Sequence, residues 1–344
     1  MNRSSQTNKT KMPKISILIP AKNAGKYLHA CIDSIIEQTE TDWECIIIND
    51  NSTDDTLKIL ENYAKIDTRI SVYSNPKSGV ITALQFAYSK CNGILIHRMD
   101  ADDIMPKQKL EVLKNNLLQS GKGHVATGKV EYFAETPLGD GYKKYESWLN
   151  GLTEKGENFS ELYKECVIAS PCWMVYRTDF EACGGFESEI YPEDYDLVFR
   201  FYELGLKCIP CDLVLHRWRD YAIRSSRTSE HYADNRFIAI KCFYFLKLNY
   251  DNNRPLVVWG AGRKGKSIAQ YLIKENTTFN WLCNNPKKIG KSIYDVLMQS
   301  EKAIETLDSP QIIIAVANHE EQAILKNYFH QRGMETMIDY FFFC

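Results

Sequence analysis

The chain has 344 residues, of which 44% are hydrophobic and 25% are charged, and its formal net charge is −2. These values are ordinary for a soluble globular protein of about two domains, and the nearly neutral charge gives no reason to expect nucleic acid as a partner. No apolar run approaches the length that spans a bilayer.

The N-terminal residues and the cysteines indicate a cytoplasmic protein. Residues 1–13 are polar and lack the apolar core of a secretory signal, so we interpret them as a disordered tail. The eleven cysteines are scattered, often within apolar runs, and we expect them to be reduced. Cys208 and Cys211 have CxxC spacing, but no second pair completes a zinc site, which favours plain packing. Peripheral contact with the inner face of the membrane remains a further option.

Strands and amphipathic helices alternate through the first third of the chain. This alternation predicts an α/β fold with a parallel sheet, in which ligands bind beyond the carboxyl ends of the strands. Pro20 is expected to stop the first strand. The strands are predicted at residues 14–19, 43–48, 70–74 and 93–97. Polar groups follow three of them, at Pro20 to Asn23, at Asp50, and at Asp100 to Asp102.

The acidic run at Asp100, Asp102 and Asp103 lies between a strand and Pro106, where a helix can open. Three carboxylates this close repel one another, and a hard divalent ion such as Mg²⁺ would relieve the repulsion and bridge them to phosphates. The alternative is a solvated acidic turn that caps the next helix.

Asp50 follows the second predicted strand. Its carboxylate suits a nucleobase N–H or a ribose hydroxyl better than a phosphate, because it can only accept. An ordinary helix-capping loop is the alternative, and Ser52 is expected to cap the helix that follows.

With these motifs in place, residues 15–117 resemble the nucleotide-binding half of family 2 glycosyltransferases, which have the A-type glycosyltransferase fold. The matching stretches, in chain order, are Ile19–Asn23, Ser34–Thr39, Ile47–Asp54 and Arg98–Asp103. The family usually has two acids where this chain has Asn49 and Asp50, and the second, which contacts the nucleoside base, is kept. The resemblance implies that Asp100 and Asp102 hold Mg²⁺ or Mn²⁺. It also implies a donor-binding set of Pro20, Asn23, Asp50, Arg98 and Asp100.

A second acidic pair, Glu193 and Asp194, follows Gly184-Gly185-Phe186 and begins a helix at Pro192. Acids in a first turn are favoured by the helix dipole, so charge complementarity alone is the alternative reading. By the resemblance, Asp194 is the general base and Glu193 its orienting neighbour. One base and in-line attack on C1 imply inversion, with the metal neutralising the leaving diphosphate. The implied partners are a nucleotide-diphosphate sugar and a glycan or lipid-linked acceptor, in cell-surface glycan synthesis.

Residues 215–227 are basic and aromatic, at a place where the family has a flexible polar stretch over the donor. His216 is a candidate metal ligand there, and Arg224 or Arg227 is a candidate for the diphosphate. A solvated basic loop is the alternative, and the sequence does not decide between them.

A polar cluster at residues 249–253 marks a boundary. Beyond it, a strand at 256–259 leads into Gly260-Ala-Gly262-Arg-Lys-Gly265, which matches GxGxxG. The next strand ends at Asn284 and Asn285, where the NAD fingerprint has an acid, so we predict a Rossmann-like domain without a redox role for NAD. It resembles the small domain appended to some bacterial glycosyltransferases. His319 and His330 are expected on the surface.

The predicted organisation has four parts in chain order. They are a tail at 1–13, a glycosyltransferase domain at 14–228 with a nucleotide half (14–107) and an acceptor half (108–228), a linking helix at 229–250 and a Rossmann-like domain at 251–344. The oligomeric state is left open.

Two other functions are alternatives to a glycosyltransferase. The first is an inactive nucleotide-binding scaffold or sensor acting through the C-terminal module, and the intact Asp50, Asp100, Asp102 and Asp194 argue against it. The second is a nucleotidyltransferase, whose Gly-rich basic loop is poorly matched by Pro20 to Gly25.

Overall fold

The computed structural model describes residues 14–222, 224 and 234–344, so the predicted tail, Arg227 and the start of the predicted linking helix lie outside it. The chain divides into two compact units. The first holds the described residues up to Gly156 together with Ala169–Glu187 and Leu206–Asp220. The second holds Glu157–Ile168, Ser188–Gly205 and the described residues from Tyr221 onward. The predicted domains are continuous stretches, whereas these units interleave along the chain.

The first unit is built on a seven-stranded sheet with the order β3-β2-β1-β4-β7-β5-β8, accompanied by a separate β6-β9 pair. Its strands are β1 (Ile15–Ala21), β2 (Trp43–Asn49), β3 (Ile70–Ser74), β4 (Leu95–Arg98), β5 (His124–Thr127), β6 (Lys129–Phe133), β7 (Trp173–Tyr176), β8 (Lys207–Ile209) and β9 (Val214–Arg219). Its helices are α1 (Gly25–Ile36), α2 (Thr56–Ile66), α3 (Val80–Lys90), α4 (Lys109–Ser120), α5 (Asp140–Lys155) and α6 (Arg177–Ala182).

The predicted alternation over the first four strands is confirmed, and β1 is parallel to both β2 and β4. Helix α1 is amphipathic, as the alternation predicts, and its buried face consists of Leu28, Cys31, Ile32 and Ile35. Beyond β4 the sheet is mixed, because β7 runs antiparallel to β4 and β5.

Two predicted boundaries are wrong. Pro20 does not stop β1, which continues to Ala21. Proline has no backbone N–H, but the position of Pro20 faces β4, and the pairing of β1 with β4 has already ended at Leu18. The strand therefore loses no hydrogen bond at Pro20. Helix α4 begins at Lys109 and not at Pro106, because residues 106–109 first form a turn closed by a hydrogen bond from the Lys109 N–H to the Pro106 carbonyl.

The second unit contains a six-stranded sheet with the order β12-β13-β11-β10-β14-β15. Its strands are β10 (Leu256–Trp259), β11 (Asn280–Cys283), β12 (Ser292–Ile293), β13 (Val296–Ser300), β14 (Gln311–Ile314) and β15 (Tyr340–Phe342). Its helices are α7 (Glu193–Glu203), α8 (Asp234–Leu248), α9 (Arg263–Lys274) and α10 (His319–His330). All pairs are parallel except the β12-β13 hairpin. The predicted second α/β domain is thus confirmed, while its Rossmann-like character stays a prediction.

Helices α7 and α8 of the second unit are held together by aromatic stacking and a buried acid. The Phe199 and Tyr244 rings stack with centroids 4.4 Å apart. Asp196 accepts hydrogen bonds from the Tyr244 hydroxyl at 2.6 Å and from Arg200 Nε at 2.8 Å. Both partners satisfy this buried carboxylate, so it joins α7 to α8 without an unpaired charge.

No helix within residues 14–222 and 234–344 is both long enough and apolar enough to cross a membrane. All the cysteines are free thiols, and Cys208 and Cys211 are buried among packing residues.

Candidate active site

The predicted donor-binding residues lie at the carboxyl edge of the first unit's sheet. The register places Ala21 beside Asn49 and Leu18 beside Arg98, so β1, β2 and β4 end close together. The loops after these strands carry Asn23, Asp50 and the Asp100–Asp103 run. The structure therefore brings the predicted polar groups of this unit to one edge, as a parallel arrangement requires.

Asn23 ties the loop after β1 to the loop after β2. Its backbone N–H donates to Ser52 Oγ at 3.0 Å, and its Oδ1 accepts from the Thr53 N–H at 2.8 Å. Asn23 adopts a positive φ of 49°, which asparagine tolerates better than most residues. The predicted cap role of Ser52 is wrong, because its hydroxyl serves Asn23 while Asp54 accepts the Thr56 N–H at the start of α2.

Asp50 is only 4% exposed and lies directly after β2. Its carboxylate accepts from Asn75 Nδ2 at 2.7 Å and from the Gly79 N–H at 3.0 Å, and Lys22 Nζ lies 3.6 Å away. Gly79 is the N-cap of α3, so Asp50 caps that helix from a distant part of the sequence. This contact is compatible with the capping alternative and leaves further lone pairs for a ligand.

The acidic run separates into two kinds of side chain. Asp100 and Asp102 are partly exposed at the sheet edge, and Asp100 Oδ1 accepts from Arg98 Nη2 at 3.3 Å. Asp103 is completely buried and accepts from His216 Nε2 at 3.0 Å. Hence only the first two acids remain in reach of solvent and of a ligand.

The basic stretch around β9 packs against this run. His216 is completely buried, with Nε2 on Asp103 and Nδ1 3.1 Å from Lys109 Nζ. Both ring nitrogens therefore have protein partners, so His216 does not fit the option of a metal ligand. Arg224 is buried rather than solvated.

Glu193 and Asp194 belong to the second unit, where they form the first turn of α7, with Pro192 as N-cap. Glu193 is buried, whereas Asp194 is partly exposed and accepts its neighbour's N–H, that of Tyr195, at 2.8 Å. Burial raises the pKa of the nearby Cys166 thiol well above its ordinary value, and the charge of Asp194 adds to the effect. Cys166 is therefore a neutral neighbour of the candidate base.

The chain is similar to several known proteins. A model of the glycosyl transferase family 2 matches residues 16–184. The uncharacterized glycosyltransferase EpsJ of Bacillus subtilis (strain 168) is 32% identical over 94% of this chain and 97% of its own length. The O-antigen biosynthesis glycosyltransferase WbnJ of Escherichia coli is 30% identical over 54% of this chain and 70% of its own. The chain belongs to glycosyltransferase family 2.

Other relatives of this glycosyltransferase are much longer proteins. The chondroitin synthase of Pasteurella multocida (strain Pm70) is 34% identical over 57% of this chain, yet the match spans only 19% of the synthase. Its overall activity is therefore not carried over to this chain.

Solved structures confirm the predicted A-type fold of the glycosyltransferase. Residues 1–349 of TarS from S. aureus, in complex with UDP-GlcNAc, superpose with a TM-score of 0.52 at 15% identity, over 75% of this chain and 71% of that one. The mannosyltransferase PcManGT from Pyrobaculum calidifontis, in complex with GDP-Man and Mn²⁺, gives 0.51 at 19% identity, over 77% and 70%.

The residues of this glycosyltransferase fit a hard divalent ion of the Mg²⁺ type. Across the described ranges, no three His, Cys, Asp or Glu side chains form a ready-made metal cage. Mg²⁺ does not require one, since it commonly binds through one or two carboxylates and completes its shell with water and substrate phosphates. Asp100 and Asp102, both partly exposed at the edge, offer such a pair.

Three supporting side chains of the glycosyltransferase edge were not predicted from the sequence. Asn75 donates to both Asp50 and Thr82, Lys22 lies near Asp50, and Lys109 contacts His216 beneath the acidic run. A lysine at the first position of an apolar helix was the only sequence signal for Lys109. Nothing in the pattern distinguished Asn75 from an ordinary loop residue.

Proposed function

We propose that the protein transfers a sugar, with inversion, from a nucleotide-diphosphate sugar to an acceptor hydroxyl in cell-surface polysaccharide synthesis, and that it requires Mg²⁺ or Mn²⁺. The observation that carries the proposal is the meeting of Asp50 with the Asp100 and Asp102 loop at one sheet edge. One acid is suited to the nucleoside and the other two to a metal-bound diphosphate.

The relatives support this choice of substrate class. WbnJ is named for O-antigen biosynthesis, and the TarS and PcManGT structures are titled as complexes with UDP-GlcNAc and GDP-Man. Because PcManGT is titled with Mn²⁺ as well, a metal role for Asp100 and Asp102 has a precedent in the same fold. We propose residues 14–107 as the donor half and 108–228 as the acceptor half.

Each predicted residue has a defined task in this proposal. Asp50 accepts from the base or ribose, and Pro20, Asn23 and Arg98 shape the surrounding edge. Asp102 binds the metal, and Asp100 does so directly or through water. When bound, the divalent ion would supply Lewis-acid stabilisation of the departing diphosphate.

Asp194 takes the proton of the acceptor hydroxyl as that oxygen attacks C1, and Glu193 orients it. A positioned carboxylate within reach of the hydroxyl contributes about 10²–10⁴-fold to such a step. A single base on the acceptor side requires no covalent sugar intermediate, which is why inversion is expected.

Thermal stabilisation by nucleotide sugars tests the proposal. UDP-, GDP- and dTDP-sugars are added to the full chain with Mn²⁺, and one nucleotide class should raise the melting temperature while the others should not. Asp102→Asn should abolish the shift, whereas Glu37→Gln, which changes an exposed acid at the C-cap of α1, should keep it. If no nucleotide sugar stabilises the wild-type protein, the proposed donor class is wrong.

A further inference from the structure

Three ionisable side chains form a buried line beneath the acidic run. Asp103, His216 and Lys109 all have 0% exposure. His216 Nε2 lies 3.0 Å from Asp103 Oδ2, and His216 Nδ1 lies 3.1 Å from Lys109 Nζ. Lys109 also donates to the Pro171 carbonyl at 2.7 Å. This network of three side chains therefore connects the acidic loop, β9, the start of α4 and the chain segment before β7.

The hydrogen-bond partners define the roles of these groups. Asp103 accepts at both oxygens, from His216 Nε2 and from the Arg219 N–H at 2.7 Å, as an ionised carboxylate does. His216 must then donate through Nε2, which leaves Nδ1 to accept from Lys109. The imidazole of His216 thus lies between the carboxyl group of Asp103 and the amino group of Lys109. Burying such charges is costly unless each is paired, and here each has a partner.

Strand β9 also holds the backbone of the acidic loop directly. Ile104 and Arg217 exchange two backbone hydrogen bonds, at 3.1 and 3.0 Å. Arg219 Nε donates to the Asp102 carbonyl at 2.7 Å. Asp102, Asp103 and Ile104 are therefore all hydrogen-bonded to β9. The Asp102 carboxylate nevertheless stays at the partly exposed edge.

We propose that Asp103, His216 and Lys109 are a positioning network, which fixes the loop backbone so that Asp100 and Asp102 are presented to the donor. None of the three is itself a metal ligand or a proton carrier in the reaction. The claim about the donor rests on the proposed function, but the claim about the loop does not. Pre-set ligand geometry lowers the ordering cost of binding, so loosening the loop should weaken metal-dependent affinity.

Hydrogen exchange of the full chain without ligand tests the loop claim on its own. His216→Leu removes both ring contacts, whereas the amide nitrogen of His216→Gln can still donate to Asp103. Ser16→Ala is the matched control, since it removes a buried hydrogen bond to Glu44 at the opposite end of β1. We expect exchange of the backbone amides of residues 99–104 to rise about tenfold or more in His216→Leu. It should change little in His216→Gln and in the control.

If His216→Leu does not fold, Asp103→Asn replaces it, because the two side chains have the same shape. Equal exchange of residues 99–104 in the wild type, the control and the network variants would overturn the proposal.

Nucleotide affinity then separates positioning from simple charge balance. The double variant Asp103→Asn/Lys109→Met removes both buried charges together, so its melting temperature should recover relative to either single variant. Its affinity for UDP or GDP with Mn²⁺ should nevertheless stay about tenfold or more weaker than that of the wild type, because the side-chain contacts that position the loop are lost. Wild-type affinity in a variant with a loosened loop would overturn the positioning role. A wild-type protein that binds no nucleotide would instead refute the proposed function and leave the exchange result standing.

Discussion

Each unit has loops at the carboxyl edge of its sheet, and these loops are held in place in different ways in the two units. At the edge of the first unit, loops are held by acidic side chains that accept from distant backbone N–H groups, as Asp50 does for Gly79 and Asp54 for Gly25. At the edge of the second unit, the loop after β10 is held by close backbone approach between glycines. A Cβ on Gly265 would lie 2.1 Å from the Gly260 carbonyl oxygen, and Gly260 itself has φ +124°.

This difference separates supporting residues from residues available to a ligand. In the first unit Asp54 and Asp103 bind the protein's own backbone or buried groups, while Asp100 and Asp102 remain at the surface. In the second unit Gly260 and Gly265 are required by the fold, but a Cβ on Gly262 would meet nothing within 4 Å. An acid-rich or glycine-rich stretch is thus not a site as a whole, and only some of its members can serve a ligand.

The largest expected effect concerns the candidate base. Asp194→Asn should lower turnover by about a hundredfold or more with donor binding retained, because the variant cannot accept the acceptor's proton. Steady-state kinetics together with donor titration measures both quantities. Glu203→Gln, at the other end of the same helix, is the control and should leave turnover unchanged. Near-wild-type turnover of Asp194→Asn would place the base elsewhere.

The next effect sharpens the distinction between a capping acid and a binding acid. Asp50→Ala should weaken nucleotide binding by about 1.5–3 kcal/mol, the loss expected for a hydrogen bond to a charged group, without changing the metal requirement. Asp54→Ala is the matched control, since Asp54 accepts from the Gly25 and Thr56 N–H groups at the same edge. Equal nucleotide affinity in both variants would mean that Asp50 only caps α3.

A pair of glycine variants tests the second edge. Gly265→Ala should destabilise the protein by about 1–3 kcal/mol through overpacking against the Gly260 carbonyl. Gly262→Ala, where φ is −77° and the space is open, should stay within about 0.5 kcal/mol of wild type. Chemical denaturation measures both. Equal losses would show that the loop packs in another way.

The smallest expected effect is that of NAD. The pocket around the glycine loop has a volume of about 350 Å³ and is lined in part by Gly262, Asn284 and Asn285. Since β11 leads to asparagines instead of an acid, the ribose lacks its usual charged partner. Titration of the full chain with NAD⁺, NADH and NADP⁺ should give no micromolar binding. Micromolar affinity that is abolished by Gly262→Val would contradict this and indicate a second activity.

The sequence was sufficient for the elements whose cause is local. The strand predicted at residues 70–74 is β3, and an amphipathic helix follows β1 as expected. The surface positions expected for His319 and His330 are confirmed, since both are exposed at the ends of α10. The motif order identified the family because four stretches matched together, and Asp50, Asp100 and Asp102 were found on the sheet edge that this order implies.

What the sequence could not supply was long-range pairing. The cap of α3 comes from Asp50, 29 residues earlier, and the contact between Asp103 and His216 spans 113 residues. No local pattern distinguishes Asp103 from Asp102, because their different burial arises only when β9 packs on the loop. For the same reason the sequence allowed His216 to be a metal ligand, whereas in the structure its two ring nitrogens contact Asp103 and Lys109.

The central claim is that the edge formed by Asp50, Asp100 and Asp102 binds a nucleoside diphosphate through a divalent ion. Isothermal calorimetry of the full chain with UDP and GDP, with Mn²⁺ and then with EDTA, tests it most directly. We predict measurable binding of one nucleotide with Mn²⁺, a loss of about tenfold or more in EDTA, and the same loss in Asp102→Asn with Mn²⁺ present. Equal affinity with Mn²⁺ and with EDTA would contradict the account.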